Sequence, residues 1–109
     1  VTPLSLGIEV SNGAMSVLIH RNTPVPYSHT KTYYNNKDYQ TDILIEVFEG
    51  EDKMTAKNRL LGRFQMKGIP SRKRGKVQVD VTFSIDVNSI LSIKASCKDG
   101  GVSSSLTID

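Results

Sequence analysis

Val77-Gln78-Val79-Asp80-Val81-Thr82-Phe83-Ser84-Ile85-Asp86-Val87 places an apolar residue at every second position, with Gln, Asp, Thr and Ser between them. Side chains two apart share a face only in an extended chain, so the run predicts a long antiparallel strand, one face buried and one wetted. Asp86-Val87-Asn88-Ser89 then supplies turn residues whose short side chains bond nearby backbone. Alternation resumes at Leu91, Ile93, Ala95 and Cys97, turns at Lys98-Asp99-Gly100-Gly101, and closes with an extended stretch from Val102 to Ile108.

Ahead of this run the same period recurs. Met15, Val17 and Ile19 alternate with Ser16, Leu18 and His20, and a further strand is expected between Pro26 and Tyr34. Ile43, Ile45 and Val47 keep one phase, while Leu44 and Phe48 interrupt it, which predicts a strand covered on both faces for part of its length. Leu61 to Gly68 is a shorter candidate in which Leu61, Arg63, Phe64 and Met66 mix the phases. At the front, Leu4, Leu6 and Ile8 are expected on one face and Ser5, Gly7 and Glu9 on the other, with Pro3 at a tolerated starting position. Asp52 to Leu60 lacks an apolar stripe and reads as a loop with a single turn. About eight strands at short, regular spacing give an all-β sandwich or barrel.

The 109 residues make one domain, 1–109, of ordinary size. Val1 stands where an intact chain has Met, which predicts a piece of a longer protein, and neither a leader peptide nor a membrane-length apolar run is read. Fourteen Lys and Arg against eleven Asp and Glu leave a net charge of +3, a mild excess that selects no polyanionic partner. Cys97 is alone and no permitted Asn-x-Ser/Thr acceptor occurs, so a reducing, cytoplasmic setting is expected.

Residues that could carry chemistry are sparse. His20, His29 and Cys97 fall short of the four N or S ligands of a structural zinc site, and Cys97 is in phase with the apolar positions. Glu46, Glu49, Glu51 and Asp52 crowd beside Gly50 and read as a charged turn rather than an acid and base pair in a cleft. No phosphate-cradling glycine loop opens a helix, so no catalytic site or cofactor is expected in this stretch. Arg72-Lys73-Arg74-Gly75-Lys76 is the footprint a nucleic-acid binder would leave, yet the nearest aromatics in sequence, Phe64 and Phe83, lie in internal phases, so a solvated loop is the favoured reading. Tyr33, Tyr34 and Tyr39 with Asn35-Asn36-Lys37-Asp38 form an exposed aromatic and amide cluster of the kind binding surfaces use.

Ordered matches along the whole chain then carry a resemblance. VTPLSLGIE at 1 to 9, LIHRNTPVP at 18 to 26, EGE at 49 to 51, LLGRF at 60 to 64, GIP at 68 to 70, RGK at 74 to 76 and VTFSIDVNSIL at 81 to 91 resemble the β-sandwich substrate-binding domain of DnaK-type, seventy-kilodalton heat-shock chaperones. LIEVFEGE and MTAKNRLLG look most like the eukaryotic cytosolic members. The resemblance implies two four-stranded antiparallel sheets whose loops at one end hold an extended, apolar-rich peptide by backbone hydrogen bonds and a Leu-selective pocket.

Carried over by position, it puts Leu6, Ile8, Val10, Ala14, Tyr33, Ile43, Ile45 and Val79 on the channel wall, with Ile43 and Ile45 at the central pocket. Periodicity alone gives plain core packing for Ile43, Ile45 and Val79. Ser11, Asn12 and Gly13 on one loop, and Tyr34, Asn36, Gln40 and Leu44 around the other, complete the implied contacts. Ser11 and Asn36 occupy the two positions that arch over the peptide, where the family commonly has Met with Ala or Ala with Tyr, so this arch is polar. Asp38 and Arg74 match a latch for a helical lid, and Ser89 replaces a usual turn Gly.

The resemblance also implies partners: unfolded polypeptides for this stretch, and ATP with Mg, J-domain co-chaperones and nucleotide exchange factors for a parent protein. Without an ATPase domain or lid this piece is expected to bind and release peptide fast, outside nucleotide control. No membrane partner is expected, location in the nucleus as well as the cytoplasm stays open, and so does self-association through one chain's tail in another's channel. A structural or adaptor sandwich that has lost peptide binding is the alternative, with nucleic-acid binding through Arg72 to Lys76 a weaker third.

Overall fold

The computed structural model describes all 109 residues. Its strands are β1 Leu6–Val10, β2 Ala14–Ile19, β3 Tyr27–Tyr34, β4 Asp42–Glu49, β5 Arg59–Lys67, β6 Gln78–Ile85, β7 Leu91–Cys97 and β8 Val102–Ile108, with single 3-10 turns at Ser11–Gly13 and Thr55–Lys57. The alternating run becomes β6, and its period survives folding: Val79, Val81, Phe83 and Ile85 are buried, and the residues between them are half-exposed. No helix is long and apolar enough to cross a membrane.

The strands pair into two antiparallel four-stranded sheets, ordered β2-β1-β4-β5 and β3-β6-β7-β8. Seventeen buried side chains from both inner faces form one core, with Phe83, Ile93, Ile19 and Met66 fully enclosed. Cys97 is among them, as its phase predicts. Along the outer face of the second sheet, hydroxyls pair across strands: Thr30 with Thr82 at 2.7 Å and Ser28 with Ser84 at 3.0 Å.

Where spacing misleads, the cause is a slip of register. Leu6 pairs with Ile19 but Gly7 with Val17, so Leu18 is an extra residue in β2, and both Leu18 and Ile19 are buried. The expected set of Met15, Val17 and Ile19 is thereby corrected. Gly7 sits at this bulge, where a Cβ would stand 2.1 Å from the Ser16 carbonyl oxygen, so only glycine fits. A second slip pairs Val47 with Gly62 but Phe48 with Leu60, leaving Leu61 bulged. It accounts for the mixed phases after Leu61, and the strand is longer than expected, beginning at Arg59. Val47 enters the core while Phe48 is buried outside it, but Leu44 is 53% exposed, so the double covering is confined to the bulge.

Two end residues also leave their expected faces. Leu4 precedes β1 and is exposed, because Pro3 and Leu4 lie in a bend rather than the strand. Val87 is 68% exposed in the turn after β6. Glu46 and Glu49 belong to β4, not to the turn, and Glu51 is a structural acceptor: its carboxylate takes the Ser5 N–H at 2.8 Å and the Ser5 hydroxyl at 2.7 Å. Ser89 has φ +64°, the conformation its usual glycine would suit.

Candidate functional site

The loops at one end of the sandwich enclose a cavity of about 540 Å³, within the range of ligand pockets. Thirteen of the positions implied by resemblance line it: Ile8, Val10, Ser11, Asn12, Gly13, Tyr33, Tyr34, Asn36, Gln40, Ile43, Leu44, Ile45 and Val79. Two do not. Leu6 lies deeper in the core, and Ala14 pairs with Val10 and bridges to Met54. Asn35 and Lys37, from the aromatic and amide cluster, also line the cavity, as do Glu9, Glu46 and Val81, which neither periodicity nor resemblance assigns to a site. Ile45 and Val79 are 3% and 2% exposed, so each is both core and cavity wall.

Two backbone hooks build the rim. Asn12 (φ +67°) and Gly13 (φ +72°) reverse the chain between β1 and β2 in the left-handed region that Asn and Gly tolerate. The hook is pinned from outside: the buried Thr55 hydroxyl donates to the Glu9 carboxylate and lies 3.1 Å from the Gly13 carbonyl oxygen, and the Met15 N–H donates to Lys53 at 2.9 Å. Opposite, Tyr39 holds φ +57°, a costly conformation for a bulky side chain, fixed by its N–H donating to the Arg72 carbonyl at 2.7 Å.

Asn35, which is 3% exposed, is the centre of that second loop. Its Nδ2 hydrogens are shared among the carbonyls of Lys37, Arg72 and Lys73 at 3.0 to 3.2 Å, and its Oδ1 accepts the N–H groups of Lys76 and Val77 at 3.1 and 3.0 Å. One side chain thus fixes the 35–40 loop to the 72–77 segment. Asp38 and Arg74 are together, but through the Arg74 backbone N–H, which donates to Asp38 Oδ1 at 2.8 Å. The Arg74 guanidinium itself is in no ion pair.

The mouth is polar. Asn36 Nδ2 donates to Ser11 Oγ at 3.3 Å, so the two arch positions meet across the cavity. On the wall, Tyr33 Oη and Ser16 Oγ are 2.7 Å apart, and burial raises the phenol above its ordinary range while the Ser16 hydrogen bond opposes the shift. Gln40 Nε2 donates to the Asp42 carbonyl at 2.8 Å, whereas Gln40 Oε1 is buried with no partner.

Away from the cavity, His20 is exposed and His29 stacks on Tyr27 with ring centroids 6.4 Å apart. The basic run is exposed, with Arg72 paired to Asp99 at 3.1 Å. The fold brings an exposed ring to it, Tyr39, whose N–H bonds Arg72, whereas Phe64 and Phe83 pack into or against the core.

Comparison with known proteins matches residues 1–109 to the family model described as "Hsp70 protein". Over 108 residues the chain is 47% identical to "Heat shock 70 kDa protein BIP3" of Oryza sativa subsp. japonica and 47% to "Heat shock 70 kDa protein" of Penicillium citrinum. It is 46% identical to "Chaperone protein DnaK" of Burkholderia cenocepacia. Each match covers 99% of this chain but only 16%, 22% and 17% of those proteins, so the chain spans about a fifth of the length of the curated relatives it matches.

Proposed function

Because the chain belongs to the Hsp70 protein family, we propose that residues 1–109 are the peptide-binding β-sandwich domain of a chaperone, holding extended, apolar-rich segments of unfolded polypeptide in the loop-end cavity. One observation carries the reading: a cavity of about 540 Å³ at the loop end, walled by Ile43, Ile45 and Val79 and rimmed by the loops at Ser11–Gly13 and 35–40. Backbone groups of an extended ligand can bond to such loops whatever the ligand's sequence. Ile43, Ile45 and Val79 supply the apolar wall, where burying a Leu-like side chain is worth roughly 1.5–3 kcal/mol. Main-chain bonding without sequence demand, plus one apolar preference, gives broad and moderate affinity.

The polar arch sets how the site closes. A Ser11 to Asn36 hydrogen bond covers the peptide with less apolar area than two hydrophobic side chains would, and it must open for a chain to enter from above. Asp38 and Arg74 are assigned to a lid latch, with the unpaired guanidinium at the exposed rim free to meet a carboxylate. For a whole protein, the family reading adds ATP and Mg in a separate domain, with J-domain co-chaperones and exchange factors timing release. A cytoplasmic setting is supported by the lone buried Cys97, and the eukaryotic cytosolic type by LIEVFEGE and MTAKNRLLG.

The test is titration of a fluorescent heptapeptide with a central Leu against the wild-type chain and Ile43→Phe. Phe at a half-buried wall position projects further into the cavity where the central side chain would sit, and Kd should rise about tenfold or more while thermal unfolding shows the variant folded. Unchanged affinity overturns the site. The bridged mouth also favours one rival, a structural or adaptor sandwich that no longer admits peptide, for which neither protein would show saturable binding.

A further inference from the structure

The two sides of the cavity differ in charge. Glu46 lines it from β4 and Glu9 from β1, the Glu9 carboxylate being held by Thr55 outside the hook, whereas Lys37 lines it from the 35–40 loop. Behind Lys37 lies the basic run Arg72 to Lys76, docked there because Asn35 and Tyr39 bond the backbone of Arg72, Lys73 and Lys76. All five cations on this side are exposed. Arg72 is paired with Asp99, and Asp38 is engaged by the Arg74 backbone, which leaves Lys37, Lys73, Arg74 and Lys76 with no carboxylate partner. Sequence spacing separates Lys37 from this run by more than thirty residues. The fold makes one positive rim of them at the edge of a half-apolar cavity.

We propose that the chain prefers apolar peptide segments carrying Asp or Glu beside the residue seated in the cavity, with those carboxylates lying along the basic loop. This rests on the peptide-binding reading above. Exposed ion pairs are individually weak, so two or three together give about a 3- to 10-fold preference at low ionic strength, which screening removes. The positive rim also raises the encounter rate of acidic segments. A single-stranded nucleic acid is the less suitable occupant, because such binders run several stacking rings along a basic groove, whereas here the exposed rings at that loop are Tyr34 and Tyr39 and the surface beside the cations is a cavity walled by Ile43, Ile45 and Val79.

Three peptides with the same central-Leu heptapeptide, flanked at both ends by Asp-Asp, Ser-Ser or Lys-Lys, would be titrated by fluorescence anisotropy at about 0.05 and 0.5 M NaCl. The expected order at low salt is Asp above Ser above Lys, collapsing to within about twofold at high salt. Lys73→Glu with Lys76→Glu, whose backbone bonds do not need the side chains, should reverse the order while leaving the Ser-flanked peptide within about twofold of wild type. Equal affinities for all three peptides, or a Lys preference in the wild type, overturn the inference and leave peptide binding intact. Binding of none of them by the folded protein overturns the peptide reading and this inference with it. Oligo-dT that binds as tightly as the Asp-flanked peptide at low salt, and displaces it, overturns it in favour of nucleic acid.

Discussion

Two turns at opposite ends of β6 use the same device in unlike surroundings. Asn35 Oδ1 accepts the N–H groups of Lys76 and Val77 at 3.1 and 3.0 Å; Asp86 Oδ1 accepts those of Asn88 and Ile90 at 2.8 and 3.0 Å. Asp86 is exposed and reaches two and four residues along its own turn. Asn35 is buried and reaches 37 to 42 residues away to the 72–77 segment. Water can replace the first set of bonds and cannot easily replace the second. The local device shapes one turn, whereas the buried one fixes the relation of two loops, and the cavity with its positive rim is built on that relation.

Asn35→Ala is therefore the most damaging way to break the comparison. It removes one partner each from two N–H groups and three carbonyls, leaving the buried Val77 N–H without its acceptor, and stability should fall by about 2–3 kcal/mol in urea unfolding. Amide exchange at Lys76 and Val77 should accelerate far more than at Asn88 and Ile90. Asn35→Asp sharpens the test by keeping the acceptor and replacing the donor with oxygen facing three carbonyls. The neutral acid is favoured there, so the folded carboxyl is raised, and the damage should grow as pH rises from the unfolded value of about 4 up through the raised folded one. A loss of the same size at pH 3 and pH 8 would contradict that account.

The same contrast between local and distant partners decides what was legible in the sequence. The two-residue period gave the strands and the all-β class, since alternation from Val79 to Ile85 is a property of one segment. The bulges at Leu18 and Leu61 were not legible, because a register slip is set by the partner strand. The Asp86 turn was readable in its own four residues, and Asn35 was not: Asn-Asn-Lys-Asp reads as a solvated loop, and nothing near it names Lys76 or Val77. For the cavity, spacing alone offered core packing for Ile45 and Val79. Resemblance put the loop residues beside them, and burial shows the two assignments to be compatible.

Glu51 lies between the extremes, with distant partners and an exposed carboxylate. The Ser5 N–H, and then the Ser5 hydroxyl, hold its carboxyl below the ordinary Glu value. A depressed folded pKa contributes stability that is complete above the unfolded value, near 4.5, and is lost as pH falls through the folded one. Glu51→Gln should consequently be less stable than wild type at neutral pH, with the two unfolding midpoints converging in acid. Because water reaches this carboxylate, the deficit should stay below that of Asn35→Ala, and a gap that widens in acid would refute the assignment.

Ser89→Gly gives the smallest effect, and the only gain. Ser89 holds φ +64° in the Asp86 turn, its N–H donates to the Asp86 carbonyl at 3.0 Å, and its hydroxyl makes no hydrogen bond. An L-residue pays about 1 kcal/mol or more for this conformation, while glycine returns roughly half of that through its freer unfolded chain. The net stabilisation should be about 0.5 kcal/mol, with Ser89→Ala near wild type because the backbone term is unchanged. β6 is eight residues long and separates this turn from the Asn35 network by more than 20 Å, so the two effects should add. A double variant of Ser89→Gly with Asn35→Ala that departs from the sum by more than about 0.5 kcal/mol would mean that the local turn and the buried keystone are not independent, and the contrast between them would fail.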